Sequence, residues 1–237
     1  MLATTRTGPV TLLELQREER RNALDIDLCR SIHATAAAEV EAGARVLVVT
    51  GAGSSFCSGA DLDGVYGPEF LEALYAMLHG LAVLPVPILA AVNGPAIGAG
   101  TQLSLACDLR VADRGARFGV PTARNGMAVD PWTMRMLANV AGGGMARRLM
   151  IAAEIVDRDE ALRCGLVDRA GTLEDTMEWA HEIASFAPLT LAHNKAVLNG
   201  AGDDDVARSF AACWSSADVQ EAARARTEKR APVFTGS

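Results

Sequence analysis

The feature that most restricts this chain is a unit that occurs twice within residues 45–106: a short apolar run, a glycine-bearing loop, then a helix-prone stretch. Residues 45–50 (RVLVVT) are apolar at nearly every position, which suits a strand covered on both faces rather than one with a wet side. A loop over 51–60 carries Gly51, Gly53 and Gly59, and a helix is expected near 69–84. Residues 87–92 repeat the buried strand, Gly94, Gly98 and Gly100 mark the second loop, and 98–106 the helix. Residues 10–16 and 109–112 read as further strands, and 26–41 as an alanine-rich helix with Asp25 as N-cap and Gly43 beyond its end. This order predicts an α/β fold, a mostly parallel sheet with helices packed outside it.

Beyond about residue 130 the pattern turns helical, with segments expected at 131–140, 143–152, 157–163, 172–186, 188–200, 203–214 and 216–229. Only 165–169 looks strand-like there. We therefore expect a core over residues 1–185 and a helical docking or oligomerisation region over 186–237. With 237 residues, half of them hydrophobic, one main domain can bury a sizeable core. A net charge of −7 and a pI near 5.1 argue against a nucleic-acid or anionic-membrane surface. The longest apolar stretch, 81–92, is broken by Pro85 and Pro87 and falls short of the roughly 18 residues of a membrane span. The opening MLATTRTGPV has no apolar signal segment. Cys29, Cys57, Cys107, Cys164 and Cys213 are odd in number and scattered, as reduced packing residues of a cytoplasmic protein would be. The run 203–205 reads as a solvated helix start rather than a metal site.

Two glycine loops after buried strands must bring backbone close to something. A dinucleotide fingerprint fails because GxGxxG would need glycine at Phe56, and a nucleophile elbow fails because Ser58 lacks the upstream glycine. Two readings stay open: ordinary tight turns, or paired backbone N–H groups aimed at one developing negative charge.

Several segments together carry a resemblance: ERRNAL (19–24), FCSGADL (56–62), AVNGPAIGAG (91–100), CDLRVA (107–112) with FGVP (118–121), CGLVDR (164–169) and EKRAPVF (228–234). In this order, over residues 10–235, the chain resembles the enoyl-CoA hydratase/isomerase (crotonase) superfamily, and among it actinobacterial members without the hydratase glutamate pair. The resemblance implies a spiral of ββα units with a helical C-terminal region that assembles trimers, often paired into hexamers. It implies coenzyme A thioesters as substrate or ligand, with no permanently bound cofactor and no metal. It assigns oxyanion-hole N–H groups to Ala60 and Ala99, the latter in place of a glycine. Coenzyme A would lie along Ala23, Ser58, Ala60 and Leu62, with Arg20 and Arg21 near its phosphates. Lys229, Arg230 and Phe234 would close over a neighbouring subunit's coenzyme A.

One departure matters most. The two glutamates of a hydratase fall here on Gln102 and Thr122, and neither can take a proton from water at neutral pH. The remaining acid is Asp130, where related isomerases and dehalogenases carry a working aspartate; it reads either as a proton-transfer group or as the N-cap of the helix that Pro131 opens. Trp132, with Gln102 and Thr122, is expected to line the acyl pocket. His33, His79, His181 and His193 read as isolated on helical segments, and Lys195 as a partner for a coenzyme A phosphate or for an acid. The expectation is an acyl-CoA-binding protein of lipid metabolism, with isomerase-type chemistry or weak hydration as the enzymatic alternatives, and a lipid-synthesis enzyme as a possible partner.

Overall fold

The computed structural model describes residues 1–61 and 67–237. A hairpin of β1 (Leu2–Thr7) and β2 (Val10–Leu15) leads to α1 (Ile26–Glu41), β3 (Val46–Gly51), α2 (Pro68–Val83) and β4 (Ile88–Val92). Next come β5 (Pro95–Ile97), α3 (Ala99–Ala106), β6 (Leu109–Ala112), β7 (Arg117–Gly119), α4 (Pro131–Met150), β8 (Val156–Asp157), α5 (Arg158–Cys164) and β9 (Arg169–Ala170). The chain ends in α6 (Leu173–Ala184), α7 (Pro188–Leu198), α8 (Asp203–Ser215) and α9 (Ala217–Glu228). The main sheet has the order β1-β2-β3-β4-β6-β9, parallel except at β1.

The all-apolar strands follow from cover on both faces. Leu47 and Val49 of β3 join the core under α1 and α2, while Val46 and Val48 face Ala180, Ile183 and Ala184 of α6. Alternate side chains point to opposite faces, so a strand sandwiched this way has no position for a polar residue. Helix α1 starts where its cap predicts, the Asp25 carboxylate accepting from Leu28 N at 2.8 Å.

The structure departs from the sequence reading in four places. β1 pairs antiparallel to β2 and was not expected; a six-residue segment rich in threonine and largely exposed carries little apolar periodicity. The second glycine loop contains β5, which with β7 and β8 forms a small second sheet. The segments expected at 131–140 and 143–152 are one helix, α4, bent at Gly142 (φ 79°, ψ 152°). The strand expected at 165–169 is only β9, because Leu166 and Val167 are buried in the core before pairing begins.

Helix α7 is anchored from inside. Lys195 is 6% exposed, and its Nζ donates to Asp108 Oδ2 at 2.9 Å and to the carbonyls of Val86 and Leu81 at 3.0 and 3.2 Å. Lys195 is thus an ion-pair residue, one of the two roles expected for it. Arg110, also buried, spends its guanidinium on the carbonyls of Leu166 and Cys107 and on Asp168.

Candidate active site

The two glycine loops lie side by side. Cys57 N donates to Pro95 O at 3.1 Å and Ile97 N returns to Cys57 O at 3.0 Å, so the loop after β3 runs parallel to β5. The fit is tight: a Cβ on Gly100 would stand 2.1 Å from Cys57 O, so this residue must be glycine. Gly59, at φ 111°, turns the first loop towards the second, with Ala99 N 3.8 Å from where its Cβ would be.

Buried side chains hold this geometry. Asn22, fully buried at φ 56°, donates through Nδ2 to Ala52 O and Ser55 O at 2.9 and 2.8 Å and accepts from Arg17 N. Leu24 then bridges Ala60, its N–H donating to Gly59 O and its carbonyl accepting from Asp61 N, both at 2.8 Å. Asn93 donates to Gly51 O and Gly53 O. Thr101 donates to Ala96 O at 2.6 Å and accepts from Gly119 N, fastening α3 to the small sheet. Sequence reasoning missed Asn22, Asn93 and Thr101. An asparagine preceding a strand-like pair can signal a left-handed residue, but its targets lie some 30 positions away in the chain.

With both loops so placed, the N–H groups of Ala60 and Ala99 make no backbone hydrogen bond among the described residues. Ala99 is the first residue of α3, so the positive end of that helix adds to its donor. Both residues line one pocket, closed by Phe70, Leu74 and Tyr75 of α2, by Gln102 of α3, and by Thr122, Asn125 and Val129 from the segment before α4. Among the described residues, Tyr75 is the one titratable group in its lining. Burial pushes its phenol up, with the bond from Asp130 N at 3.0 Å working in the opposite direction, so it stays neutral at physiological pH. Gln102 is 2% exposed, and among the described residues its buried Oε1 has no hydrogen-bond partner.

A polar groove adjoins the pocket, lined by Glu19, Arg20, Arg21, Ala23, Ser58, Ala60 and Asp61. Ser58 and Ala60 belong to both cavities. The structure therefore brings Ala60, Ala99, Gln102 and Thr122 together, and Arg21, Ala23 and Ser58 beside them. Leu62 lies outside the described residues.

Asp130 and Trp132 lie outside the pocket lining, and Lys229, Arg230 and Phe234 lie outside both cavities of their own chain. Asp130 is not in the pocket lining: Oδ1 accepts from Thr133 N at 3.1 Å and Thr133 Oγ1 at 2.6 Å as the cap of α4, and Oδ2 lies 3.1 Å from His79 Nε2. His79 is thus paired rather than isolated; the two residues are 51 positions apart in sequence, so only the packing of α2 against α4 joins them. Trp132 meets the His79 ring edge-on at 5.3 Å and is absent from the pocket lining. Lys229 ends α9 in a left-handed conformation, and the carbonyl of Phe234 accepts from Arg45 at 2.8 Å; neither lines the pocket or the groove. Arg230 is paired with Glu221 and Glu228 of its own chain.

The family model for enoyl-CoA hydratase/isomerase matches residues 5–237. A probable enoyl-CoA hydratase of Mycobacterium leprae, echA6, is 40% identical over 100% of both chains. The short-chain-enoyl-CoA hydratase of Clostridium acetobutylicum is 32% identical, covering 94% of this chain and 93% of its own. The crystal structure of an enoyl-CoA hydratase from Bacillus anthracis superposes with a TM-score of 0.90 at 27% identity, covering 100% of this chain and 99% of that one. A putative enoyl-CoA hydratase from Streptomyces coelicolor gives a TM-score of 0.91 at 29% identity, over 100% and 94%. With its paired loops, its mostly parallel sheet and a match over nearly its whole length, this chain belongs to the enoyl-CoA hydratase/isomerase family and has the crotonase fold.

Proposed function

We propose that this chain captures fatty acyl-CoA thioesters in lipid metabolism and hydrates enoyl thioesters poorly or not at all. One observation carries this: among the described residues the pocket offers two unused backbone donors but no carboxylate, imidazole, amine or thiol. Two donors can seat a thioester carbonyl and stabilise negative charge on its oxygen. Hydration also needs a group to take a proton from water and one to deliver a proton to carbon. Gln102 can hold a water but not deprotonate it, and the Thr122 hydroxyl is no base at neutral pH. Each missing acid/base group typically costs about 10²–10⁴ in rate.

Coenzyme A follows the groove along Arg21, Ala23, Ser58 and Ala60, with Leu62 in the same set. Lys229 and Phe234 cover the coenzyme A of a neighbouring subunit in a trimer or hexamer. The exposed Leu198, Phe210 and Trp214 in the helical region supply apolar area that such an assembly would bury. We place the protein in the cytoplasm and include a lipid-synthesis enzyme among its partners. The proposal does not draw on Asp130, which caps α4 and meets His79.

The test pairs an ultraviolet assay of enoyl-thioester loss, from short to long chains, with calorimetric titration by saturated acyl-CoAs. Binding in the micromolar range without turnover is expected. Turnover at about 1–10³ s⁻¹, an ordinary enzyme rate, would sink the proposal.

A further inference from the structure

Resting on the acyl-CoA reading of the pocket, we infer that His79 and Asp130 form a latch across its outer wall, which short acyl chains leave shut and long ones must open. Two elements make that wall: α2, through Leu71, Leu74 and Tyr75, and the segment before α4, through Met127 and Val129. Among the described residues, only two hydrogen bonds join α2 to residues 126–150, and both end on Asp130. Its N–H donates to the Tyr75 hydroxyl at 3.0 Å, and its Oδ2 accepts from His79 Nε2 at 3.1 Å.

The two sides of this seam differ in firmness. Asp130 is fixed on its own side, where Oδ1 accepts from Thr133 N and Thr133 Oγ1. The α2 side rests on His79, whose side chain is half exposed, so water competes for the bond. Tyr75 stacks on the His79 ring at 6.2 Å, and Trp132 meets the same ring edge-on. Residues 71, 75 and 79 are spaced four apart on α2 and share one face. That face leads from the pocket, which Leu71 and Tyr75 line, to the solvent-facing His79, which does not line it. Towards Phe70, Ala99 and Gln102 the wall is buried core, and parting it there would expose apolar area. A chain that outgrows the pocket therefore has its least costly exit past Tyr75, by displacing one half-exposed bond. A ligand that needs a minor, opened form binds more weakly by the fraction of protein in that form. Long chains thus bind below the affinity that an open wall would give, and short chains do not feel the latch.

The deciding experiment titrates the whole protein and its His79→Leu variant calorimetrically with butanoyl-CoA and hexadecanoyl-CoA, below the concentration at which the long ligand forms micelles. Leucine keeps an apolar contact with Tyr75 and Trp132 and removes the bond. Hexadecanoyl-CoA is expected to bind the variant about fivefold tighter, as the release of one hydrogen bond would give, with butanoyl-CoA unchanged within a factor of about two. Opening also has a signature with His79 in place. In protein carrying Trp179→Phe and Trp214→Phe, Trp132 emission should shift with hexadecanoyl-CoA and not with butanoyl-CoA. An equal change for both ligands in His79→Leu, no change for the long one, or Trp132 emission blind to chain length would overturn the inference and leave acyl-CoA binding standing. Binding of neither ligand would overturn both. Should His79→Leu fold poorly, the emission measurement decides alone.

Discussion

The pocket and the anchor beneath α7 treat buried polar groups in opposite ways. Under α7, Lys195 is matched to Asp108 and two carbonyls, and nearby Arg110 spends its guanidinium on carbonyls and Asp168. In the pocket, Gln102 Oε1 and the N–H groups of Ala60 and Ala99 are unmatched among the described residues. Charge that is buried and fully partnered marks structure, since an unpaired charge there would be strongly destabilising. Unpartnered neutral donors in a pocket lining, such as the N–H groups of Ala60 and Ala99, are open to a ligand oxygen. Both regions are held by side chains far apart in sequence, so satisfaction of hydrogen bonds, not burial, separates them.

The comparison breaks most sharply if the pocket is given charge. Gln102→Glu with Thr122→Glu should raise enoyl-CoA hydration by about 10²–10⁴ or more over the parent protein, read by loss of the enoyl chromophore. No gain would mean that something other than missing carboxylates limits turnover.

Removing charge from the anchor is the next largest effect. Lys195→Met strands the Asp108 carboxylate and should cost about 3–5 kcal/mol, seen in chemical denaturation. Its pH dependence is diagnostic. Desolvation raises the Asp108 pKa above its unfolded value, with Lys195 opposing the shift. A carboxyl raised in this way favours the folded state when protonated, and stability falls as pH rises from the unfolded pKa through the folded one. Without Lys195 the shift grows, so the deficit of the variant should be full at pH 7 and shrink on acidification. A deficit that is flat with pH would show that packing, not charge, is lost.

At Asp130 the effect should be smaller and purely structural. Asp130→Ala should cost about 1 kcal/mol through the lost cap, and Asp130→Asn, which can still cap, distinctly less. Any change in thioester turnover in Asp130→Asn would return this residue to the chemistry. The smallest effect is at the C-terminal tail, where the bonds from Arg230 and from Val233 N hold Glu221 at a pKa of about 2. A lowered carboxyl stabilises above the unfolded pKa and loses its contribution as pH falls through the folded one. Amide protection of Val233, whose N–H donates to Glu221, should therefore fade on acidification from about pH 4.5 towards 2, near where Glu221 protonates.

How much of this was legible before the structure depends on range. Helix α1, strand β6 and the N-cap Asp25 are local features, and their bounds match those expected from periodicity. β5 and β7, three residues each, are too short to show a period and exist because Thr101 and Cys57 tie them in place. In the candidate site, Ala60, Ala99, Gln102 and Thr122 could be named only through the family resemblance that these segments carry. The pairing of His79 with Asp130, and the lack of any partner for Gln102, could not. Whether a side chain is satisfied is a property of the assembled neighbourhood, and no spacing within one segment encodes it.

Ser58 and Ala60 face the pocket on one side and the polar groove on the other. A molecule that fills both is held at two points by one rigid loop, and its second half binds at the high effective concentration set by the first. Severed halves, a free fatty acid or coenzyme A alone, would each forfeit that advantage, and together would hold on far more weakly than the intact thioester. On the proposed acyl-CoA reading, the loop acts as a test of covalent linkage, favouring an acyl group only while it is still attached to its carrier.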